Sequence, residues 1–257
     1  MDKKVLFTLL AAALFFGASA HAHEVNGEVI EPVYSEAPTD YLPADPFQIA
    51  LYVFILVLVL SIFSIFLQDK LSEQMKKAVF VIVVVTVGLT TIYAAATTVY
   101  LNVISESGGP VHWHSDFEIW VCKEKITNLK AAEFPSNKVG TAVLHHHDDY
   151  RMHVEGLVIK KEDASLAAFF KAINGSFTGE SMTLELEGNK FTGIANGDKC
   201  SDGKPGKWRL YVKNYNSGEF EENPELEHYV LKPFFTVPPG DYLVLAFDSE
   251  EGVPIGS

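Results

Sequence analysis

Cysteine and methionine are scarce in this 257-residue chain, at two and four copies. Two cysteines exclude a disulfide-dense scaffold, and their spacing is not that of a zinc knuckle. Four scattered methionines exclude a thioether-rich Cu(I) carrier. Basic residues are outnumbered, 20 Lys and Arg against 33 Asp and Glu, for a net charge of −13. Nucleic-acid binding is thereby excluded, because phosphates need a basic surface. There is also no nucleophile elbow, phosphate loop, dinucleotide fingerprint or His-Glu-x-x-His helix, so no catalytic motif declares itself. No internal repeat or low-complexity tract is present.

Apolar residues are plentiful, and they are concentrated. The chain is 48% hydrophobic and 21% charged, yet its mean hydropathy is +0.13, which points to a membrane. Residues 1–22 read as a secretory signal: Lys3 and Lys4, an apolar run, then small residues with candidate cleavage after Ala20 or Ala22. A short acidic segment, 23–46, follows with charge −6. Residues 47–67 and 78–101 are uncharged and long enough to cross about 30 Å of hydrocarbon as helices. Their connection, 68–77, holds Lys70, Lys76 and Lys77 against Asp69 and Glu73. By the positive-inside rule it faces the cytoplasm, which puts 23–46 and the domain 102–257, with charge −9, outside the cell membrane. The membrane hairpin carries no intramembrane charge, so it is an anchor or a contact surface for a membrane-protein partner rather than an ion pathway.

Beyond a Gly-Pro linker at 104–110, alternation dominates. Phe117, Ile119 and Val121 alternate with Asp116, Glu118 and Trp120, which leaves His112 and His114 on the polar face with Asp116. A polar loop runs to about Val139; the stretch 140–147, a turn at Asp148-Asp149-Tyr150 and a strand over 151–159 follow. Asp163-Ala164-Ser165 supplies caps for an amphipathic helix bearing Leu166, Phe169, Phe170 and Ile173, and Asn174-Gly175 stops it. Strands around Met182–Leu186 and Trp208–Val212 come next. The run Tyr242–Phe247 after Pro239-Gly240-Asp241 reads as a central strand buried on both faces. The fold class expected is α+β: a small mixed sheet with one packed helix, two or three strands before the helix and three after it. That order resembles a β-grasp domain.

Seven of nine histidines lie beyond the hairpin, and six of them fall in two windows, His112/His114 and His145/His146/His147/His153. On strands, residues two apart share a face, so pairs on neighbouring strands could converge three or four imidazoles. Candidate metal ligands are His112, His114, His145, His147 and His153, with Asp116, Asp149 and Glu155 in reach as ligands or as partners that orient the imidazoles. Imidazole with carboxylate suits Zn or Cu(II) first, then Ni or non-haem Fe. The bland reading of the same residues is a solvated turn and exposed strand positions. His228, in an acidic stretch at 219–227 and beyond, reads as a solvated loop residue. His21 and His23 could form an amino-terminal copper grip after cleavage, or merely mark a signal junction. Cys122 and Cys200 in an oxidising compartment are expected to form a disulfide, with thiolate ligation as the lesser alternative. Asn174-Gly175-Ser176 is a glycosylation sequon.

The segments His112-Trp113-His114, Leu144-His-His-His-Asp-Asp149, Met152-His-Val-Glu-Gly156, Ala164-Ser-Leu-Ala-Ala-Phe-Phe170 and Pro239-Gly-Asp241 resemble a family of exported, His-rich domains of bacteria and archaea. That resemblance covers roughly 110–248, omits the hairpin, and implies a grouping of the histidines without implying an activity. Gly140 followed by His145-x-His147 resembles a cupin motif only faintly, because the carboxylate spacing after it is not kept. Three functions remain open: a membrane-anchored metal-binding domain that buffers, senses or delivers Zn or Cu(II); a metal-dependent enzyme using the same histidines; or a structural or interaction protein without metal.

Overall fold

A computed structural model describes residues 38–213, 217–231 and 240–254. The expected signal, residues 1–22, the histidines His21 and His23, most of the acidic segment and Pro239 lie outside the described residues.

Two long helices come first. Helix α1, Pro46–Phe66, begins where the Asp45 carboxylate accepts from the Phe47 amide at 2.8 Å with Pro46 in the first turn. Helix α2, Glu73–Ile104, begins where the Ser72 hydroxyl accepts from the Met75 amide at 3.3 Å. That cap, with the Glu73–Lys76 pair at 2.9 Å, carries the second helix five residues further back than the apolar run. The connection is correspondingly shorter than 68–77. In the most apolar windows of both helices no residue is buried, so the side chains face outward, as lipid requires and water would not tolerate. The hydroxyls of Thr86, Thr91 and Thr98 donate to carbonyls one turn back, at 2.7–2.9 Å, and so hide their polarity within the helix. Both helices are long and apolar enough to cross a membrane, which suits a two-pass membrane protein.

The domain after them is built on a mixed sheet. Strand β1, Val111–Val121, lies between β5, Arg151–Gly156, which is antiparallel to it, and β11, Asp241–Asp248, which is parallel. Outward from β5 come β4, Leu144–His146, and β3, Val139–Gly140; outward from β11 come β9, Lys207–Lys213, and β10, Phe220–Asn223. The short β2, Glu124–Lys125, folds back on the end of β1. A second sheet joins β6, Ser176–Phe177, β7, Ser181–Leu186, and β8, Lys190–Ala195. Helix α3, Leu166–Ala172, starts at Ser165, whose hydroxyl accepts from the Ala168 amide, and ends before Asn174 at φ 62°.

One face of the main sheet packs Phe117, Ile119, Leu144, Met152, Val154, Leu210, Leu243 and Leu245 against Phe169 and Phe170 of α3. On the other face Val244 and Ala246 meet Tyr211 with Trp120 and Tyr242 beside them, so β11 is buried on both sides as its unbroken apolar run requires. Among the described residues six strands rather than three follow α3. The additional ones, β6, β8 and β10, lie at sheet edges: β6 has two residues only, β8 carries Lys190 and Gly193, and β10 carries Glu221 and Glu222. Strand β5 stops at Gly156, φ 101°, three residues short of the expected end. Cys122 and Cys200 are disulfide-bonded, with Cα atoms 5.4 Å apart, tying the end of β1 to the loop before β9.

Candidate metal centre

The histidines are brought together by strand register. Across β1 and β5, His112 stands opposite Glu155, His114 opposite His153 and Asp116 opposite Arg151. Across β4 and β5, His145 stands opposite His153. His147 follows two residues after His145, so three adjacent strands present one tilted patch of imidazoles on the face turned away from α3. His145 and His153 rings stack at 5.3 Å, and His114 and His147 approach His153 edge-on at 4.6 and 4.7 Å. Ligating atoms of His145, His147, His153 and Glu155 all lie within 4.8 Å of one another, and so do those of His112, His114 and His153.

Each ring has a distinct environment. His145 is wholly buried, and neither of its ring nitrogens has a hydrogen-bond partner among the described residues. Two such atoms in one ring are costly unless something else satisfies them. Burial, with Lys138 nearby, pushes this imidazole down to about 4, so it is neutral at pH 7. Burial likewise holds His114 and His153 below the ordinary imidazole range. Neutral rings are what ligation demands.

His147 Nδ1 lies 2.7 Å from the Asn137 carbonyl; a carbonyl only accepts, so Nδ1 carries the proton and Nε2 keeps the lone pair. His153 Nε2 lies 3.3 Å from Asp149 Oδ2, and by the same logic its buried Nδ1, which has no hydrogen-bond partner among the described residues, keeps a lone pair. Asp149 Oδ1 also accepts from the His147 and Arg151 amides at 3.3 and 3.2 Å. Burial alone would raise the Asp149 carboxyl, but these hydrogen bonds outweigh it and hold it below its ordinary value. Glu155 points one oxygen to His112 Nε2 at 3.2 Å and the other to His145 Nε2 at 3.8 Å.

The eight candidate ligands therefore separate. His112, His114, His145, His147, His153 and Glu155 converge. Asp149 touches the set, holding the ring of His153 and the backbone amide of His147. Asp116 is engaged by Arg151, which grips both of its oxygens, and stands at the edge of the patch. His146 points to the other side, where its Nδ1 accepts from the Asp148 amide at 3.2 Å. The His228 side chain is 83% exposed beside Glu227, a solvated position as expected. Sequence reasoning missed Asn137 and Arg151. A backbone carbonyl leaves no trace in composition, but Arg151 shares the period-two spacing of His153 and Glu155 and was within reach of that argument.

Compared with protein-family models, curated proteins and solved structures, the chain matches none. The chemistry of the patch therefore has to be read from its own residues. Three imidazoles and a carboxylate, with buried nitrogens that have no hydrogen-bond partner among the described residues, could hold a metal ion.

Proposed function

We propose that this is a membrane-anchored, extracytoplasmic metal-binding domain that takes Zn or Cu(II) and buffers, senses or delivers it. One observation carries the proposal: His145, His147, His153 and Glu155 hold their ligating atoms within 4.8 Å, with His145 fully buried and its nitrogens unpaired among the described residues. In a buried ring the nitrogen that keeps the lone pair is stabilised by a cation in place of the hydrogen bond it lacks. The orienting contacts from Asn137 and Asp149 are of the kind that fix the tautomer of metal-bound imidazoles.

Two features support the extracytoplasmic side. The disulfide is at home in an oxidising compartment, and the connection between α1 and α2 carries Lys70, with Lys76 and Lys77 in the first turns of α2. The domain is also read as β-grasp-like, because its last strand lies parallel to its first with one helix on the sheet. The likeness to exported His-rich domains rests on the quoted motifs and adds no reaction.

The test is metal content and competitive affinity of the full chain in detergent, with and without His145→Ala and His147→Ala. Stoichiometric Zn or Cu(II) of which the double variant loses at least the ion held by His145 and His147 is the expected result, and binding should weaken in acid as the imidazoles protonate, at lower pH than for a free imidazole because burial holds His145 at about 4. Absence of metal in a folded, disulfide-bonded parent protein sinks the reading and leaves an anchored interaction domain.

A further inference from the structure

The six converging groups do not form one coordination shell. Ligands on a single ion with bonds of about 2.1 Å lie no more than roughly 4.2 Å apart, even on opposite sides of it. Here the groups fall into two sets, one with His145, His147, His153 and Glu155 and one with His112, His114 and His153. The sets meet at His153, and His112 and His114 do not join His145 and His147 in either. A single ion would have to leave one set idle or pull the strands out of register.

The second set has its own internal order. The Nε2 atoms of His112 and His114 share a hydrogen bond at 2.9 Å, near the roughly 3.3 Å expected of two nitrogens on one tetrahedral ion, so a cation would take the place of the shared proton. Glu155, a member of the first set, reaches His112 of this pair, since Oε1 faces His112 and Oε2 faces His145. A carboxylate turned so that each oxygen addresses a different nitrogen cluster is placed to bridge two cations. The ends also differ in access: His145 is fully buried, whereas the His112 side chain is 61% exposed.

We propose that the patch holds two divalent cations, an inner one on His145, His147 and His153 and an outer one on His112 and His114, with Glu155 bridging them. The proposal rests on the metal-binding reading above and adds a second position to it. The inner ion is retained and the outer one exchanges with solvent or a partner, because two of the three inner rings, His145 and His153, are buried whereas His112 is exposed and His114 half-buried. A store with an exposed exchange position suits a domain that hands metal on.

The experiment uses the full chain in detergent, in a His21→Ala/His23→Ala background that removes amino-terminal ligands. Zn2+ is loaded, excess is removed, and metal per chain is counted. The expected result is two ions per chain, of which a competing chelator removes one at least tenfold faster. His112→Ala/His114→Ala retains one ion, the slow one, with the disulfide and circular dichroism unchanged. Loaded with Cu2+ instead, the parent shows less paramagnetic signal than its copper content through coupling across Glu155, and the double variant recovers the full signal. One ion in the parent, kept by His112→Ala/His114→Ala and lost by His145→Ala/His147→Ala, overturns the second position and leaves the metal-binding reading intact. No ion in any folded protein overturns both. Two ions that both survive the change at His112 and His114, or a parent whose signal equals its copper content, overturn the assignment of the outer position and its bridge.

Discussion

Asp149 does several tasks with one carboxylate. It caps the turn between β4 and β5 through the amides of His147 and Arg151 and it holds the ring of His153. Asp149→Asn keeps the size and an acceptor for the turn but loses the charge facing His153. Metal affinity should fall by about 10- to 100-fold, the usual cost of losing an orienting partner, with the ion count at saturation unchanged; competition titration measures it. His145 leads to a second expectation. Its folded value of about 4 lies below the ordinary 6.5 of a free imidazole. The unfolded chain therefore takes up this proton first, so the stability contributed by neutral His145 is present above about pH 6.5 and is lost as pH falls towards 4. Urea midpoints of the metal-free protein at several pH values should show that decline, and His145→Leu should flatten it. The imidazole faces were legible because period two fixes which residues share a side. The division of labour among the acids was not, because Asp116 and Asp149 differ only in which neighbours, Arg151 or His153, the register delivers to them.

At the scale of elements, the short β3–β4 hairpin fixes where His145 stands. Gly140 in β3 adopts φ 122°, and a Cβ there would sit 2.4 Å from the Leu144 carbonyl oxygen and 2.9 Å from His145 Cα. Neither the conformation nor the space admits a side chain. Gly140→Ala should destabilise the domain by at least about 2 kcal/mol, the cost of a strained non-glycine residue together with the displaced backbone, and should weaken metal binding along with it. Thermal unfolding and metal titration of the same variant check both effects; an unchanged midpoint would count against the geometry of this hairpin. Long apolar or alternating elements were legible in advance: α1, α2, β1, β9, β11 and the cap of α3. Strands β8 and β10 were not, because an exposed edge needs no apolar alternation to be held by its partner. The Cys122–Cys200 bond closes a separation of 78 residues, worth about 4 to 5 kcal/mol in the chain-entropy account.

For the whole molecule, the arrangement of charge along the chain and the disulfide support one orientation. With the α1–α2 connection inside, protease added to intact cells or spheroplasts should remove an epitope fused after Ser257 and spare one inserted between Phe66 and Glu73 until the membrane is lysed. The reverse pattern would place the histidines in a reducing compartment and argue against the proposed role.

Helix α2 does not release the domain freely. Only residues 105–110 separate its end from β1, a reach of about 20 Å at most. Within that stretch the Glu106 and Ser107 amides already donate to the Ile159 and Val158 carbonyls at 3.2 and 3.3 Å. On the two-pass reading the patch is thus leashed close to the membrane surface. A protein that shares that surface meets it by a search in two dimensions, at a local concentration that no freely diffusing carrier would offer.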